Sequence, residues 1–255
     1  MSDIDDSKMP LLDHLIELRS RLLWSFLALA IAFGVCLYFA RPIFGFLVQP
    51  LLASGQTKLI YTAIFEAFFV EIKVAFFAAS FCSFPVFATQ LWRFVAPGLY
   101  KKEKNAFLPF LLATPILFII GASMAYFMAI PVALEYLLGF GGNVGGVEQE
   151  ALPGVDNYLG FVMKFIFGFG ISFLLPVLLM LLERAGIVTL EQLRGARRYA
   201  IVGAFAIAAI LTPPDVVSQL LLAIPLCILF ELALIAIWFT RRRRAKTATA
   251  EEITL

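Results

Sequence analysis

The chemistry open to this chain rests on a few carboxylates set in apolar sequence. Glu17 falls in the stretch Pro10-Leu-Leu-Asp-His-Leu-Ile-Glu-Leu-Arg19. Leu11, Leu15, Leu18 and Leu22 recur at helical spacing, which leaves Asp13, Glu17 and Arg21 on the opposite, polar face. Glu17 can pair with Arg21 one turn on, or it can offer its carboxylate to an outside cation. Glu103 ends the stretch Phe94-Val-Ala-Pro-Gly-Leu-Tyr-Lys-Lys-Glu. Pro97-Gly98 predicts a turn, which sets Glu103 in the first turn of the next helix, where the dipole favours an acid. Glu231 lies inside the last apolar run, about nine residues from its basic end. Burial there favours a neutral carboxyl, serving either as a functional acid or as a hydrogen-bonded packing residue. Phe94, close behind Gln90, reads as an interfacial aromatic.

Other chemistries lack their residues. The single histidine, His14, lies outside the apolar runs, and Cys36, Cys82 and Cys227 fall in three separate runs with no metal-ligand or CxxC spacing. They read as small buried hydrophobes, with neither metal nor disulfide framework expected. Gly139–Gly146 lacks the lysine and hydroxyl of a phosphate-binding loop and reads as a flexible outer loop. No GxSxG occurs, and no base accompanies an intramembrane serine, so neither an enzyme nor a cofactor is expected.

The elements that position these residues are membrane spans. Of the 255 residues 62% are hydrophobic and 15% charged, with a mean hydropathy of +0.93; soluble domains carry about 25% charged residues. Six charge-poor runs stand out: Leu22–Ala40, Val74–Trp92 (extended back through Phe68 and Phe69), Ala106–Leu134, Phe165–Leu182, Tyr199–Pro214 and Val216–Thr240. Without water to satisfy the backbone, such runs cross as helices. Thr212-Pro-Pro-Asp215 is a turn signal, and the run before it reaches only about 20 Å as a helix. The bilayer thins locally there, or the last two segments form a shallow hairpin. The predicted fold is all-α: a polytopic protein of six kinked transmembrane helices forming a concave cup, the last two short. Residues 1–21 are expected as a cytoplasmic amphipathic helix started by Pro10, and 22–240 as spans and loops. Together, 1–240 form one membrane domain, followed by a cytoplasmic tail, 241–255, polar and disordered beyond Arg244. The long first run exceeds a signal-peptide core and reads as a retained span.

Most of the 20 basic residues occupy one side: Lys8, Arg19 and Arg21; Arg93, Lys101, Lys102 and Lys104; Arg184, Arg194, Arg197 and Arg198; and Arg241–Arg244 with Lys246. That side, with both termini, is expected in the cytoplasm. The arginine run reads as a stop-transfer and headgroup anchor.

These stretches together resemble the TatC family, the multi-span subunit of the twin-arginine translocase. The resemblance runs through His14-Leu-Ile-Glu-Leu-Arg-Ser-Arg-Leu22, Phe68-Phe69 with Ile72-Lys73, Gln90-Leu-Trp-Arg-Phe-Val-Ala-Pro-Gly-Leu-Tyr-Lys-Lys-Glu103 and Leu211-Thr-Pro-Pro-Asp-Val-Val-Ser-Gln219, with Tyr126, Pro131 and Phe230-Glu231. It covers roughly residues 10 to 240. It implies a receptor for paired-arginine signal peptides of folded cargo, located in the bacterial cytoplasmic (inner) membrane. The implied system is driven by the proton-motive force and assembled with TatA/TatB-type single-span proteins, membrane lipids and further copies of itself, with no nucleic acid. The implied signal-peptide residues are Glu17, Arg19, Phe94 and Glu103; Pro50, Asp215 and Gln219 match motif positions on or near the outer side. Paired carboxylates suit two guanidinium forks in a way that lysines cannot reproduce. One departure is plain: Leu174 follows Ser172-Phe173 where such proteins carry Glu or Gln. The competing reading is a secondary transporter or channel for a small solute with Glu231 as proton relay, but no repeat or paired mid-membrane ionisable group supports it.

Overall fold

The computed structural model describes the backbone at residues 8–99, 108–144, 146–149, 151–212 and 215–253, and side-chain surroundings at 15–94, 110–141, 146, 151–212 and 215–242. The chain divides into two compact units, residues 1–49 with 61–115 and residues 50–60 with 116–255.

In the first unit, α1 (Lys8–Tyr38) and α3 (Glu66–Leu99) lie against each other. Small residues allow the approach: Cys36, Ala40, Ala75 and Ala79 are buried, with Ala32, Phe33 and Ala78 packed around them. Edge-on rings continue the seam, Phe33 on Phe76 and Phe26 on Phe87. Pairing numbers that rise on α1 and fall on α3 make the two helices antiparallel. Glu66 begins α3 almost fully buried; its Oε2 accepts from Thr62 Oγ1 at 2.9 Å and Ala63 N at 3.1 Å. After a break at Phe39 the chain re-enters a helix, α2 (Ala40–Ala53), which contains Pro50. Arg41 at its start pairs with Glu71 at 3.2 Å.

One expectation is corrected here. The amphipathic stretch from Lys8 leads into the first span as one unbroken helix, α1; no helix-breaking residue stands between Pro10 and Tyr38, and only Gly34 weakens the run. Pro97-Gly98 does not turn the chain, since α3 continues to Leu99. Pro97 removes the bond to the carbonyl one turn back, and the helix ends two residues beyond it, at Leu99.

The second unit begins in the continuation of α4 (Leu108–Met124), which passes through a π-turn, Ala125–Ala129, into α5 (Ile130–Leu138). Next come α6 (Val155–Ser172), α7 (Leu175–Arg184), the short α8 (Leu190–Gly195), α9 (Arg197–Leu211) and α10 (Val216–Ile253). Phe118, Phe165, Phe169, Ile130, Leu159 and Leu222 are fully buried. Glycines set the closest approach: a Cβ on Gly121 would lie 2.6 Å from the Phe169 carbonyl, and one on Gly170 would lie 2.6 Å from the Phe118 ring. Thr189 and Gln192 cap α8 reciprocally.

The glycine-rich segment, expected as a flexible loop, holds two short antiparallel strands, β1 (Gly142–Val144) and β2 (Val147–Gln149). Gly146 takes φ +89°, the conformation such a tight connection needs. Next to it, the 54–60 segment is stitched to 151–155: Ile60 donates to Pro153 O at 3.2 Å, Val155 donates to Ile60 O at 3.0 Å, and Gln56 donates to Ala151 O. The tail is also corrected, because α10 runs beyond Arg244 to Ile253; Ala, Lys and Glu there are good helix formers.

Among the described residues five stretches are long and apolar enough to cross a membrane: Leu15–Tyr38, Glu66–Phe94, Phe110–Leu138, Val155–Arg184 and Val216–Arg242. The remaining expected span is α9, whose 15 residues extend about 22 Å.

Candidate functional site

Glu17 sits on α1, with its side chain 37% exposed. Arg21, one turn on, is its partner: Nε donates to Oε1 at 3.0 Å and Nη2 donates to the same oxygen. Because both contacts fall on Oε1, Oε2 accepts no bond from a described residue. Arg21 is anchored in turn, since its carbonyl accepts from the buried Ser25 hydroxyl at 3.0 Å. The carboxylate is thus oriented by the helix that carries it, with one oxygen unpartnered among the described residues. Arg19 is exposed and forms no ion pair with a described residue.

Phe94 stands half-buried near the end of α3. Phe26 and Phe87 meet; Arg19 lies seven residues before the first and Phe94 seven after the second. On antiparallel helices this puts Arg19 and Phe94 at one height. Glu103 lies outside the described residues. The helices on either side of it are tied together by a contact that the sequence did not announce. Trp92 Nε1 donates to Thr114 Oγ1 at 3.1 Å, Thr114 donates to the Phe110 carbonyl at 2.8 Å, and the Trp92 ring stacks on Phe110. Trp92 and Thr114 were in view as span residues, but their spacing of 22 carries no local signal. Gln90 is half-buried on α3.

The outer candidates do structural work. Pro50 is buried within α2. Asp215 caps α10, its Oδ1 accepting from Ser218 N at 2.7 Å. Its Oδ2 and the hydroxyl of the fully buried Ser218 find no partner among the described residues. Gln219 Nε2 donates to the Phe205 carbonyl of α9 at 3.3 Å.

Glu231 differs from expectation. It has an ion-pair partner that the sequence did not announce: Arg197 Nη2 donates to its Oε2 at 2.8 Å, and its side chain is 47% exposed. The start of α9 reaches it because α9 is short, so a guanidinium arrives where a longer helix would bring apolar residues. A second bridge, Arg241 to Glu183 at 3.0 Å, ties α10 to α7; Glu183 is only 12% exposed. Among the described residues no group of three or more His, Cys, Asp or Glu side chains could hold a metal.

The comparisons with known proteins agree with the helical arrangement. A family model described as TatC, Sec-independent protein translocase protein, matches residues 13–225. The chain is 48% identical to the Sec-independent protein translocase protein TatC of Magnetococcus marinus, over 97% of this chain and 90% of that protein. It is 43% identical to that of Aquifex aeolicus (89% and 93% covered) and 40% identical to that of Escherichia coli K12 (98% and 94% covered). A crystal structure of the twin arginine translocase receptor TatC superposes with a TM-score of 0.78 at 43% identity, covering 87% of this chain and 96% of that one. With its long apolar helices, the chain belongs to the TatC family and is a multi-pass membrane subunit of the Sec-independent protein translocase.

Proposed function

We propose that this chain is the receptor of the translocase, binding paired-arginine signal peptides at the cytoplasmic face through Glu17 and Glu103, with Arg19 and Phe94 beside them. The reading rests on one observation above all: the partly exposed Glu17 carboxylate is oriented by Arg21, while its Oε2 accepts no bond from a described residue. A guanidinium can add there through charge-assisted bonds. An exposed pair is worth only about 0–1 kcal/mol, so the apolar part of the peptide must supply further affinity by packing on the spans. The surrounding basic residues disfavour cations that fail to reach an acid, which sharpens selection.

In this reading the protein lies in the inner membrane with both termini cytoplasmic. It works with TatA/TatB-type single-span partners, as a homo-oligomer within a larger complex. It exports folded proteins on the proton-motive force. Pro50, Asp215 and Gln219 shape the outer end, and Leu174 offers a single-span partner an apolar contact in place of a polar one. The solute-transporter alternative loses its main support, because Glu231 is occupied by Arg197.

The test is co-purification with a twin-arginine signal peptide and its twin-lysine variant, using the wild type, Glu17→Gln, Glu103→Gln and the double variant. Capture of the arginine peptide alone, weakened by each substitution, is the expected result. Equal capture by all four proteins would sink the assignment.

A further inference from the structure

The chain passes between the two units at three places: Gln49–Pro50, Ile60–Tyr61 and Pro115–Ile116. Two of these passages fall inside helices, α2 (Ala40–Ala53) and α4 (Leu108–Met124). Each of those helices carries its internal proline at the passage itself, Pro50 in α2 and Pro115 in α4.

The two parts of α4 are held by different units. Before Pro115, Thr114 accepts from Trp92 Nε1 at 3.1 Å and Phe110 stacks on the Trp92 ring, both within the first unit. After it, the Phe118 ring meets Phe167 edge-on and Gly121 lies against the Phe169 carbonyl, both within the second. Helix α2 repeats the arrangement. Before Pro50, Ala40 and Ile43 pack with Cys36, Ala75 and Ala79. After it, the Leu51 backbone bonds to the Tyr158 hydroxyl of α6. The third passage is loop. Ile60 is tied to Pro153 and Val155, Thr62 is tied to Glu66, and Tyr61 between them lies in neither helix nor strand.

A helix is stiff because each N–H is bonded to the carbonyl one turn back. Proline has no N–H to give, and its ring pushes that carbonyl aside, so a rung is missing and the helix bends there at lower cost than elsewhere. We propose that Pro50 and Pro115, with the loop at Tyr61, are hinges on which the two units reorient as separate bodies. Pro225 is the internal contrast. It too lies inside a helix, α10, but the residues on both sides of it belong to the second unit. Glu17, Arg19 and Phe94 all belong to the first unit, so the motion carries them as one piece. The hinges do not depend on the role given to those residues.

The experiment uses the full chain in nanodiscs, with Cys36, Cys82 and Cys227 replaced by serine and spin labels on cysteines placed at exposed positions. One pair spans the units, Ile16→Cys with Ile187→Cys; the other lies within the first unit, Ile16→Cys with Leu91→Cys. Double electron–electron resonance reads the width of each distance distribution. With every proline in place, the spanning pair should be clearly broader than the internal pair. P50A/P115A should narrow the spanning pair towards the internal width, and P225A should leave it as it is. Hydrogen exchange gives a second reading. P115A restores a rung, so the amides of residues 116–119 should exchange about five- to tenfold more slowly, the worth of one hydrogen bond. A spanning pair as narrow as the internal one before any proline is changed would overturn the proposal, and that comparison needs no proline variant to fold. An unaltered spanning width in P50A/P115A, equal narrowing by P225A, or unaltered exchange at 116–119 in P115A would overturn it as well.

Discussion

Because both Arg21 contacts fall on a single oxygen of Glu17, Arg21 and an incoming arginine compete for part of one carboxylate. The bridge contributes at most about 1 kcal/mol to the fold, since both side chains reach solvent. A guanidinium on this partly exposed carboxylate is worth about 0–1 kcal/mol by the same rule. Glu17→Gln keeps a carbonyl oxygen for Arg21 but removes the charge, so the Kd for a twin-arginine peptide should rise by up to about fivefold. Arg21→Gln should act in the opposite sense. It frees Oε1 and removes a repelling cation, so the peptide should bind up to about fivefold more tightly, the equivalent of the lost bridge. Fluorescence anisotropy of a labelled peptide on protein in nanodiscs measures both, with circular dichroism checking that α1 remains helical. Opposite shifts support the competition. If Arg21→Gln weakens binding as much as Glu17→Gln, the arginine is part of the receptor surface and the reasoning fails.

Three further outcomes concern the second unit. Gly121→Ala and Gly170→Ala should each lower stability by about 1–3 kcal/mol, because the new methyl meets the Phe169 carbonyl or the Phe118 ring; unchanged thermal unfolding in detergent would contradict the packing. Arg241→Gln should cost about 1–3 kcal/mol by stranding the mostly buried Glu183. Arg197→Gln, between two half-exposed partners, should cost no more than about 1 kcal/mol; the reverse order in denaturant titrations would refute the difference in burial. Ser218→Ala should be neutral or stabilising, since the hydroxyl is buried without a partner among the described residues. A loss above about 1 kcal/mol would instead mean that a water satisfies this hydroxyl.

Much of this was legible in the sequence because lipid imposes a coarse rule. Long charge-free runs must be helices, and the helix at 66–99 and the span at 155–184, made of α6 and α7, appear where apolar runs were read, lengthened at both ends by residues such as Glu66 and Asp156 that a hydropathy reading discards. The Glu17–Arg21 bridge was also legible, because a spacing of four is a local signal. Glu231 was not, because its partner is 34 residues away and only the shortness of α9 brings them together. The Trp92–Thr114 bond failed for the same reason. Hairpin β1–β2 was missed because adjacent glycines suggest freedom, whereas the strands on each side use that freedom for one tight turn.

The 15 residues of α9 have a consequence for the bilayer itself. Lipids beside them face a wall about 8 Å shorter than a hydrocarbon core of about 30 Å. Their chains must tilt or contract, and each then occupies more area.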